Sequence, residues 1–331
     1  MLRLALPSDG ELSEPTRGFL QGCGLRIERP SQRTYTGEVS NLPDTAALFQ
    51  RASDITGKVE EGSADLGIVG LDRYLESYKK GGDSIPIIDD LGYGRCELVI
   101  GVPEGWIDIF SIEDLAELSL EFRSQGRELR VASKYPRLVQ DFLMSKKVTY
   151  FSLVQASGAL EAAPVMGYAD IIADISSTGV TLRENKLKTI AGGVILKSQA
   201  CLIGNRKLLG DPEKLSISRS LLELLEGHLR AGDFYHVTAN LKGKDPEELA
   251  HKILQYPEVS GIQGPTVARV YSKDGGYWHS VSVAVRISDL TKAVERLRQL
   301  GGSGISVVPA HYVFVKECYA YQRLLQAVES A

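Results

Sequence analysis

The segment Ala169-Asp170-Ile171-Ile172-Ala173-Asp174-Ile175 is apolar except for its aspartates and runs directly into Ser176-Ser177-Thr178-Gly179. A strand with apolar residues at successive positions has no wet face, so it must be covered on both sides. Helices supply that cover in an open sheet, and the surrounding sequence provides them. Residues 2–6, 64–70, 96–102, 129–132 and 148–153 read as further strands. Helical patterns lie between them: one from Ser13, with Pro15 in its first turn and Leu12, Phe19 and Leu20 facing inward, one over 71–79, and one near 137–146. Another begins near Ser157, where Pro164 kinks or shortens it. The alternation predicts α/β architecture with largely parallel sheets.

After residue 230 the pattern changes. An amphipathic helix over 217–230 carries Leu221, Leu222, Leu224, Leu225 and Leu229, and a strand comes next at 235–241. Asp245-Pro246-Glu247-Glu248 is a helix start, with an Asp cap, Pro at the first helical position and Glu at the third. Residues 267–271 and 277–285 alternate as two antiparallel strands around Lys273-Asp274-Gly275-Gly276. A helix over 290–300 and a strand over 305–309 complete the order β-α-β-β-α-β, which is ferredoxin-like. The tail over 317–330 reads as helical, and the boundary between the two patterns falls at 231–234.

At 331 residues the chain has room for two or three domains. Its formal net charge of −4 gives no footprint for nucleic acid or a membrane surface. No apolar run approaches the roughly 20 residues that span a bilayer. The first residues, Met1-Leu2-Arg3-Leu4-Ala5-Leu6-Pro7, read as a strand rather than a signal peptide. Cys23, Cys96, Cys201 and Cys318 have no CxxC spacing and read as reduced, packed thiols. These features together suit a cytosolic or organelle-stromal protein.

The chemistry concentrates after Asp174. Thr181-Leu182-Arg183-Glu184 fits a capping box and predicts a helix starting at Thr181. The preceding Ser/Thr/Gly loop then offers amides, hydroxyls and a helix end to an anion. Asp174, at the carboxyl end of a strand, is placed to hold a polyol beside it. Phosphate next to sugar hydroxyls is a phosphoribosyl group. The same residues also read as an ordinary strand–turn–helix connection with a capping threonine. There is no GxxxxGK[ST], and Gly92-Tyr93-Gly94-Arg95-Cys96-Glu97 breaks a GxGxxG at its last position. Five histidines, at 228, 236, 251, 279 and 311, form no Ser-His-Asp arrangement and read as surface or packing residues.

The spacing of Glu161, Gly167, Ala169, Ile172, Asp174, Ile175, Thr178, Gly179, Thr181 and Leu182 resembles the signature of ATP phosphoribosyltransferase, the first enzyme of histidine biosynthesis. The likeness runs along most of the chain. Pro7 to Leu12, Phe49-Gln50-Arg51 with Asp54-Ile55, Ala64 to Asp72, Tyr93-Gly94-x-Cys96 and Val131-Ala132-Ser133-Lys134-Tyr135-Pro136 all have counterparts in that family. Gln263-Gly264-Pro265-Thr266 and Leu300-Gly301-Gly302-Ser303-Gly304-Ile305 resemble the regulatory domain of its long form, with wording closest to the plant-like branch.

The resemblance implies a two-lobed, periplasmic-binding-protein-like catalytic core and a C-terminal ferredoxin-like (ACT-like) regulatory domain. Lobe I would comprise residues 1–98 and 187–232, lobe II 99–186 and the regulatory domain 233–331. It also implies a reaction in which adenine N1 of ATP attacks C1 of phosphoribosyl pyrophosphate. The products are N1-(5-phosphoribosyl)-ATP and pyrophosphate, and Mg²⁺ neutralises the leaving group. Adenine N1 carries a free lone pair at neutral pH, so positioning and electrostatics suffice without a strong base.

Carried over position by position, the resemblance implies that Asp174 contacts the ribose hydroxyls, with Glu161 either facing the cleft or capping a helix. Ser176, Ser177, Thr178, Gly179, Val180 and Thr181 would cradle the 5′-phosphate. Arg33, Arg51, Lys134 and Tyr135 are the candidates for ATP and pyrophosphate, although for Arg33 or Arg51 taken singly a solvated surface arginine is the better reading. Thr266 and Gly304 match positions at the family's effector pocket, which implies feedback inhibition by histidine. A hexamer built from dimers is expected, in the cytoplasm, or in the plastid stroma if the chain is plant-derived, without nucleic-acid or membrane partners.

Two departures stand out. The first loop, Ser8-Asp9-Gly10-Glu11, lacks the family's usual lysine, and Glu97 stands where an arginine is common. Either Lys134, Arg73 and Arg95 compensate or these acidic positions lie outside the contact shell. The acidic first loop leaves open a catalytically degenerate nucleotide-binding regulatory paralogue, and the implied two-lobed fold leaves open a solute-binding protein, against which the intact phosphoribosyl loop argues.

Overall fold

The computed structural model describes residues 1–31, 34–155, 160–272 and 275–330. The chain divides into two compact units: Met1–Gln21 with Leu25–Arg219 and Arg323–Ala331, and Gly22–Gly24 with Ser220–Gln322.

Two sheets form the first unit. In the seven-stranded one, Leu2–Pro7 lies between Thr45–Gln50 and Leu66–Gly70, all three parallel. Antiparallel strands extend it on both sides, Thr36–Val39 and Ile27–Glu28 on one, Ala200–Asn205 and Ser84–Ile88 on the other. The five-stranded sheet has a parallel trio of Ile171–Ser176, Leu129–Ser133 and Phe151–Gln155, beside antiparallel Cys96–Pro103 and Leu187–Ser198. The sheets are therefore mixed rather than largely parallel. Parallel neighbours need a long crossover, and strands joined by short links, such as Thr36–Val39 to Thr45–Gln50, pair antiparallel instead.

The expected limits of lobe I need correction. Leu187–Ser198 pairs with Cys96–Pro103, from Leu187 opposite Pro103 to Ser198 opposite Cys96, so both strands belong to the second lobe. The chain returns to the first sheet only after Gln199, where Ala200–Asn205 pairs with Leu66–Gly70. Both strands of that pair are buried along their whole length, and their one polar side chain is satisfied. Asn205 donates to the Val59 carbonyl and accepts from the amides of Lys207 and Leu208.

Ile171–Ser176 has the two-sided cover that its composition demands. Ile171 and Ala173 join one apolar cluster with Leu98, Leu129 and Val139. Ile172 joins another with Val99, Leu160 and Leu182. The edge strand beyond Leu129–Ser133 runs over Phe151–Gln155, later than the expected 148–153. The helix expected from Ser157 falls partly outside the described residues; from Leu160 there is one 3₁₀ turn, Leu160–Ala162, ahead of Pro164. The helix expected from residue 217 spans Pro212–Ala231, because Asp211 caps it by accepting the amides of Glu213 and Lys214 at 3.0 Å.

The second unit contains a four-stranded antiparallel sheet in the order Thr266–Val270, Trp278–Arg286, Phe234–Lys242, Ser303–Pro309. That is the ferredoxin-like order. Helices Pro246–Leu254 and Leu290–Gln299 bury Leu249, Ile253, Ala293 and Leu297 against Val237, Ala239, Val281 and Val283. Asp245 caps the first of these helices through the Glu247 amide, as its sequence predicts. The turn residues Lys273 and Asp274 lie outside the described residues. The border between the units falls inside helix Pro212–Ala231, at Arg219/Ser220, and the β-α-β-β-α-β pattern begins after that helix, at Phe234. The last residues, expected in the regulatory domain, group with the first unit, where Arg323 pairs with Asp89 at 2.6 Å.

Candidate active site

Parallel strands end together, so the loops leaving their carboxyl ends face the same way. In the first sheet, Leu2–Pro7 leads into Asp9–Leu12, Thr45–Gln50 into Ala52, and Leu66–Gly70 into Asp72 and Arg73. In the second, Leu129–Ser133 leads into Lys134 and Tyr135, while Ile171–Ser176 carries Asp174 and continues into Ser177–Gly179. All of these residues line one cleft of about 580 Å³, together with Gly94, Arg95, Cys96, Glu161, Thr181 and Leu182. The cleft lies where ligands of open α/β sheets bind, at carboxyl strand ends.

The turn after the strand is built differently from the expected capping box. The helix spans only Val180–Glu184, and Gly179 is its cap, in the left-handed region at φ 70°. Gly179 donates its amide to Ser176 Oγ at 3.0 Å, which folds the turn back on itself. Thr181 sits inside the helix, where its carbonyl accepts from Asn185. A one-turn helix has little dipole, so anion binding here rests on the turn's own donors. Among the described residues, the amides of Ser177 and Thr178 have no hydrogen-bond acceptor. Donors left open in a cleft await solvent or a ligand. Arg183, missed in the sequence, adds positive charge beside them and reaches the Thr178 carbonyl at 3.4 Å.

Asp174 accepts the Ile175 amide at 2.8 Å. Burial pushes its carboxyl above the usual range; the Ile175 amide and nearby Lys134 pull it back, Glu161 pushes it up again, and Arg73 draws it down. Cys96 also lines the cleft, but burial, with Asp72 nearby, pushes its thiol up to about 11, so it is no ready nucleophile.

Behind the cleft the two lobes are tied by buried polar contacts. Tyr135 Oη donates to Asp72 Oδ2 at 2.6 Å, and Ser198 Oγ donates to Asp72 Oδ1 at 2.7 Å. Ser133 Oγ accepts the Tyr135 amide at 3.0 Å and donates to the Ala173 carbonyl, fixing the loop that carries Tyr135. Helix Pro136–Ser145 has no cap of its own. Glu76, on helix Leu71–Ser77 of the other lobe, provides one, its carboxylate accepting the amides of Arg137 and Leu138 at 2.9 and 3.0 Å.

The family model for ATP phosphoribosyltransferase (HisG) matches residues 51–227, and the model for the HisG C-terminal domain matches 231–312. The chain is 38% identical over 331 residues to ATP phosphoribosyltransferase 2, chloroplastic, of Arabidopsis thaliana, covering 98% of this chain and 80% of that one. The chain belongs to the ATP phosphoribosyltransferase family. ATP phosphoribosyltransferase of Nitrobacter hamburgensis is 33% identical, over 98% of this chain and 97% of its own. The ATP phosphoribosyl transferase (HisG:HisZ) complex from Thermotoga maritima contains a chain of similar structure, with TM-score 0.53 and 26% identity. That match spans 68% of this chain and 96% of that one. The activity is accordingly that of an ATP phosphoribosyltransferase of histidine biosynthesis, a pentosyltransferase. Neither alternative class is favoured.

Of the residues singled out in the sequence, the cleft gathers Asp174, Glu161, Ser176, Ser177, Thr178, Gly179, Thr181, Lys134 and Tyr135. Val180 points away, 44% exposed and outside the lining. Arg51 is exposed at the start of helix Ala52–Glu60, and its neighbour Ala52 lines the cleft instead. Arg33 lies outside the described residues. In the second unit Thr266 borders a groove with His236, Ser282 and Phe314, whereas Gly304 is not among that groove's residues. Glu97 pairs with Lys197 at 3.4 Å and faces away from the cleft, because Cys96 beside it takes the inward position of the strand. Asp9 and Glu11 do line the cleft. No local pattern announces the Asp72–Tyr135–Ser198 contacts, since Ser198 lies 126 residues from Asp72.

Proposed function

We propose that this cleft binds phosphoribosyl pyrophosphate with its 5′-phosphate on the Ser176–Gly179 turn and its ribose hydroxyls on Asp174, and receives ATP from the opposite wall. The observation that carries this reading is the pairing of an open-amide turn with a half-buried, hydrogen-bonded carboxylate two residues before it. A diol donating to Asp174 favours the carboxylate form, which burial alone disfavours. That carboxylate then lies near positive charge developing on the ribose as pyrophosphate departs. No group in the cleft need remove a proton from adenine N1. The lobes position the two substrates and exclude water.

The cleft lining holds five carboxylates, Asp9, Glu11, Asp72, Glu161 and Asp174, against three cations, Arg73, Arg95 and Lys134. A diphosphate entering such a site needs a counter-cation. Among the described residues no cluster of three or more acidic, histidine or cysteine side chains forms a metal cage. The residues therefore fit Mg²⁺ arriving on the substrate's phosphates, with Asp174 or Glu161 as the carboxylates able to hold it. Bound there, Mg²⁺ neutralises the leaving pyrophosphate.

The second unit carries histidine inhibition in this reading, supported by the match to the HisG C-terminal domain and its ferredoxin-like sheet. The assembly is a hexamer built from dimers. The compartment is aqueous, cytoplasm or plastid stroma; among the described residues no helix is long and apolar enough to cross a membrane. The test is turnover of ATP and phosphoribosyl pyrophosphate with Mg²⁺, measured by product absorbance and pyrophosphate release. A well-folded sample without turnover refutes the catalytic reading. Saturating histidine that changes neither rate nor melting temperature refutes the inhibitory one, and a monomeric mass in solution refutes the assembly.

A further inference from the structure

The guanidinium of Arg73 lies over the ring of Tyr135 at 4.4 Å, and Tyr135 is itself fixed by the 2.6 Å bond from its hydroxyl to Asp72. Arg73 sits on the first lobe and Tyr135 on the second, and both line the cleft. The only acid paired with Arg73 among the described residues is Asp72, at 3.9 Å, beyond hydrogen-bond distance. Its N–H donors therefore have no acceptor among the described residues. An arginine held flat on an aromatic ring with its donors unspent is preorganised to meet phosphate oxygens, which match its fork geometry. Arg73 also lies close enough to Asp174 to draw that carboxyl's proton affinity down.

We propose that Arg73 contacts the diphosphate on C1 of the sugar substrate, and that Tyr135 and Asp72 are its positioning residues. This rests on the placement of ribose at Asp174 and of the 5′-phosphate at the Ser176–Gly179 turn. With the ribose there, the C1 substituent points away from that turn and toward the lobe that carries Arg73. The leaving diphosphate gains negative charge as the bond to C1 breaks. A cation bound to it then acts more strongly in the transition state than in the ground state. The arrangement also answers the missing lysine of the first loop, since Arg73 brings positive charge to the wall that Asp9 and Glu11 make acidic.

The test separates the two ends of the substrate. Inorganic pyrophosphate and ribose 5-phosphate are titrated in turn, in Mg²⁺ buffer, into wild type, Arg73→Gln, Arg73→Lys and Tyr135→Leu, with kcat and KM measured alongside. Arg73→Gln is expected to weaken pyrophosphate roughly 10- to 150-fold, the loss of one charge-assisted contact. Ribose 5-phosphate should stay within twofold. Arg73→Lys keeps the charge but not the stack and should fall between the two. Tyr135→Leu, which leaves the charge and removes the platform, should show part of the pyrophosphate loss and lower kcat. Unchanged pyrophosphate affinity in Arg73→Gln overturns the role of Arg73, as does an equal loss for both ligands. A wild-type protein that ignores ribose 5-phosphate overturns the underlying placement instead, which keeps the two failures apart.

Discussion

Replacing Glu76 by alanine removes a helix cap that one lobe lends to the other. Its carboxylate accepts the Arg137 and Leu138 amides at 2.9 and 3.0 Å, and its backbone carbonyl accepts Arg137 Nε at 2.9 Å. The carbonyl contact survives the substitution; the two carboxylate contacts do not. Hydrogen bonds to a charged group contribute about 1.5–3 kcal/mol each. The site is only partly buried, so water can replace part of that loss. The net cost is then about 2–3 kcal/mol, near or just above the upper end for loss of an N-cap. At about 2–4 °C per kcal/mol for domains of this size, the melting temperature should fall by about 4–12 °C. Glu76→Gln keeps acceptors but no charge and should lose about half as much. Differential scanning calorimetry on the full chain measures both. A Glu76→Ala protein that melts within about 1 °C of wild type refutes the idea that this contact ties the lobes.

Three more outcomes are expected from the same geometry. Asp174→Asn should abolish most turnover and yet melt higher at neutral pH. Burial raises the Asp174 carboxyl above its unfolded value, so its charge costs stability above the folded pKa, and that cost fades as pH falls through it; an unchanged or lower melting temperature at pH 7.5 would contradict this. Asp65 behaves oppositely. Burial opposes its charge, but hydrogen bonds from Arg3 and Lys214 outweigh that and hold it below the usual range, so its stabilisation is present above the unfolded pKa and lost on acidification through the folded one. Asp65→Asn should accordingly flatten the acid limb of a stability–pH curve, and an identical limb would count against the assignment. Gly179→Ala forces a side chain into φ 70° beside Arg183. It should cost about 1 kcal/mol and weaken ribose 5-phosphate by calorimetry, with intact affinity speaking against the turn as the phosphate site.

One wall of the cleft was legible in the sequence because it is one continuous segment. Asp174, the Ser/Thr/Gly turn and Thr181 are neighbours along the chain, so strand patterning and loop chemistry suffice to group them. The other wall is assembled from Asp9–Leu12, Ala52 and Asp72–Arg73, which only the strand order of the first sheet brings together. No local pattern says that Leu2–Pro7 sits between Thr45–Gln50 and Leu66–Gly70. The helix starts at Val180 rather than Thr181 because a capping box and a left-handed glycine cap share the same residues, and the bond from Gly179 to Ser176 decides between them. Sequence position alone puts Glu97 beside the site, and strand alternation turns it toward Lys197.

The placement of the second lobe within the first has a consequence for how the chain acquires its structure. Leu66–Gly70 has Ala200–Asn205 as its neighbour on one side, and the whole five-stranded sheet is encoded between them. Until residue 205 has left the ribosome, that flank of the first sheet is an unpaired and wholly apolar edge. Closing a loop of that length is slow relative to local helix and hairpin formation. The inserted lobe is thus free to form earlier, while the N-terminal strands wait for Ala200–Asn205 to cover their edge.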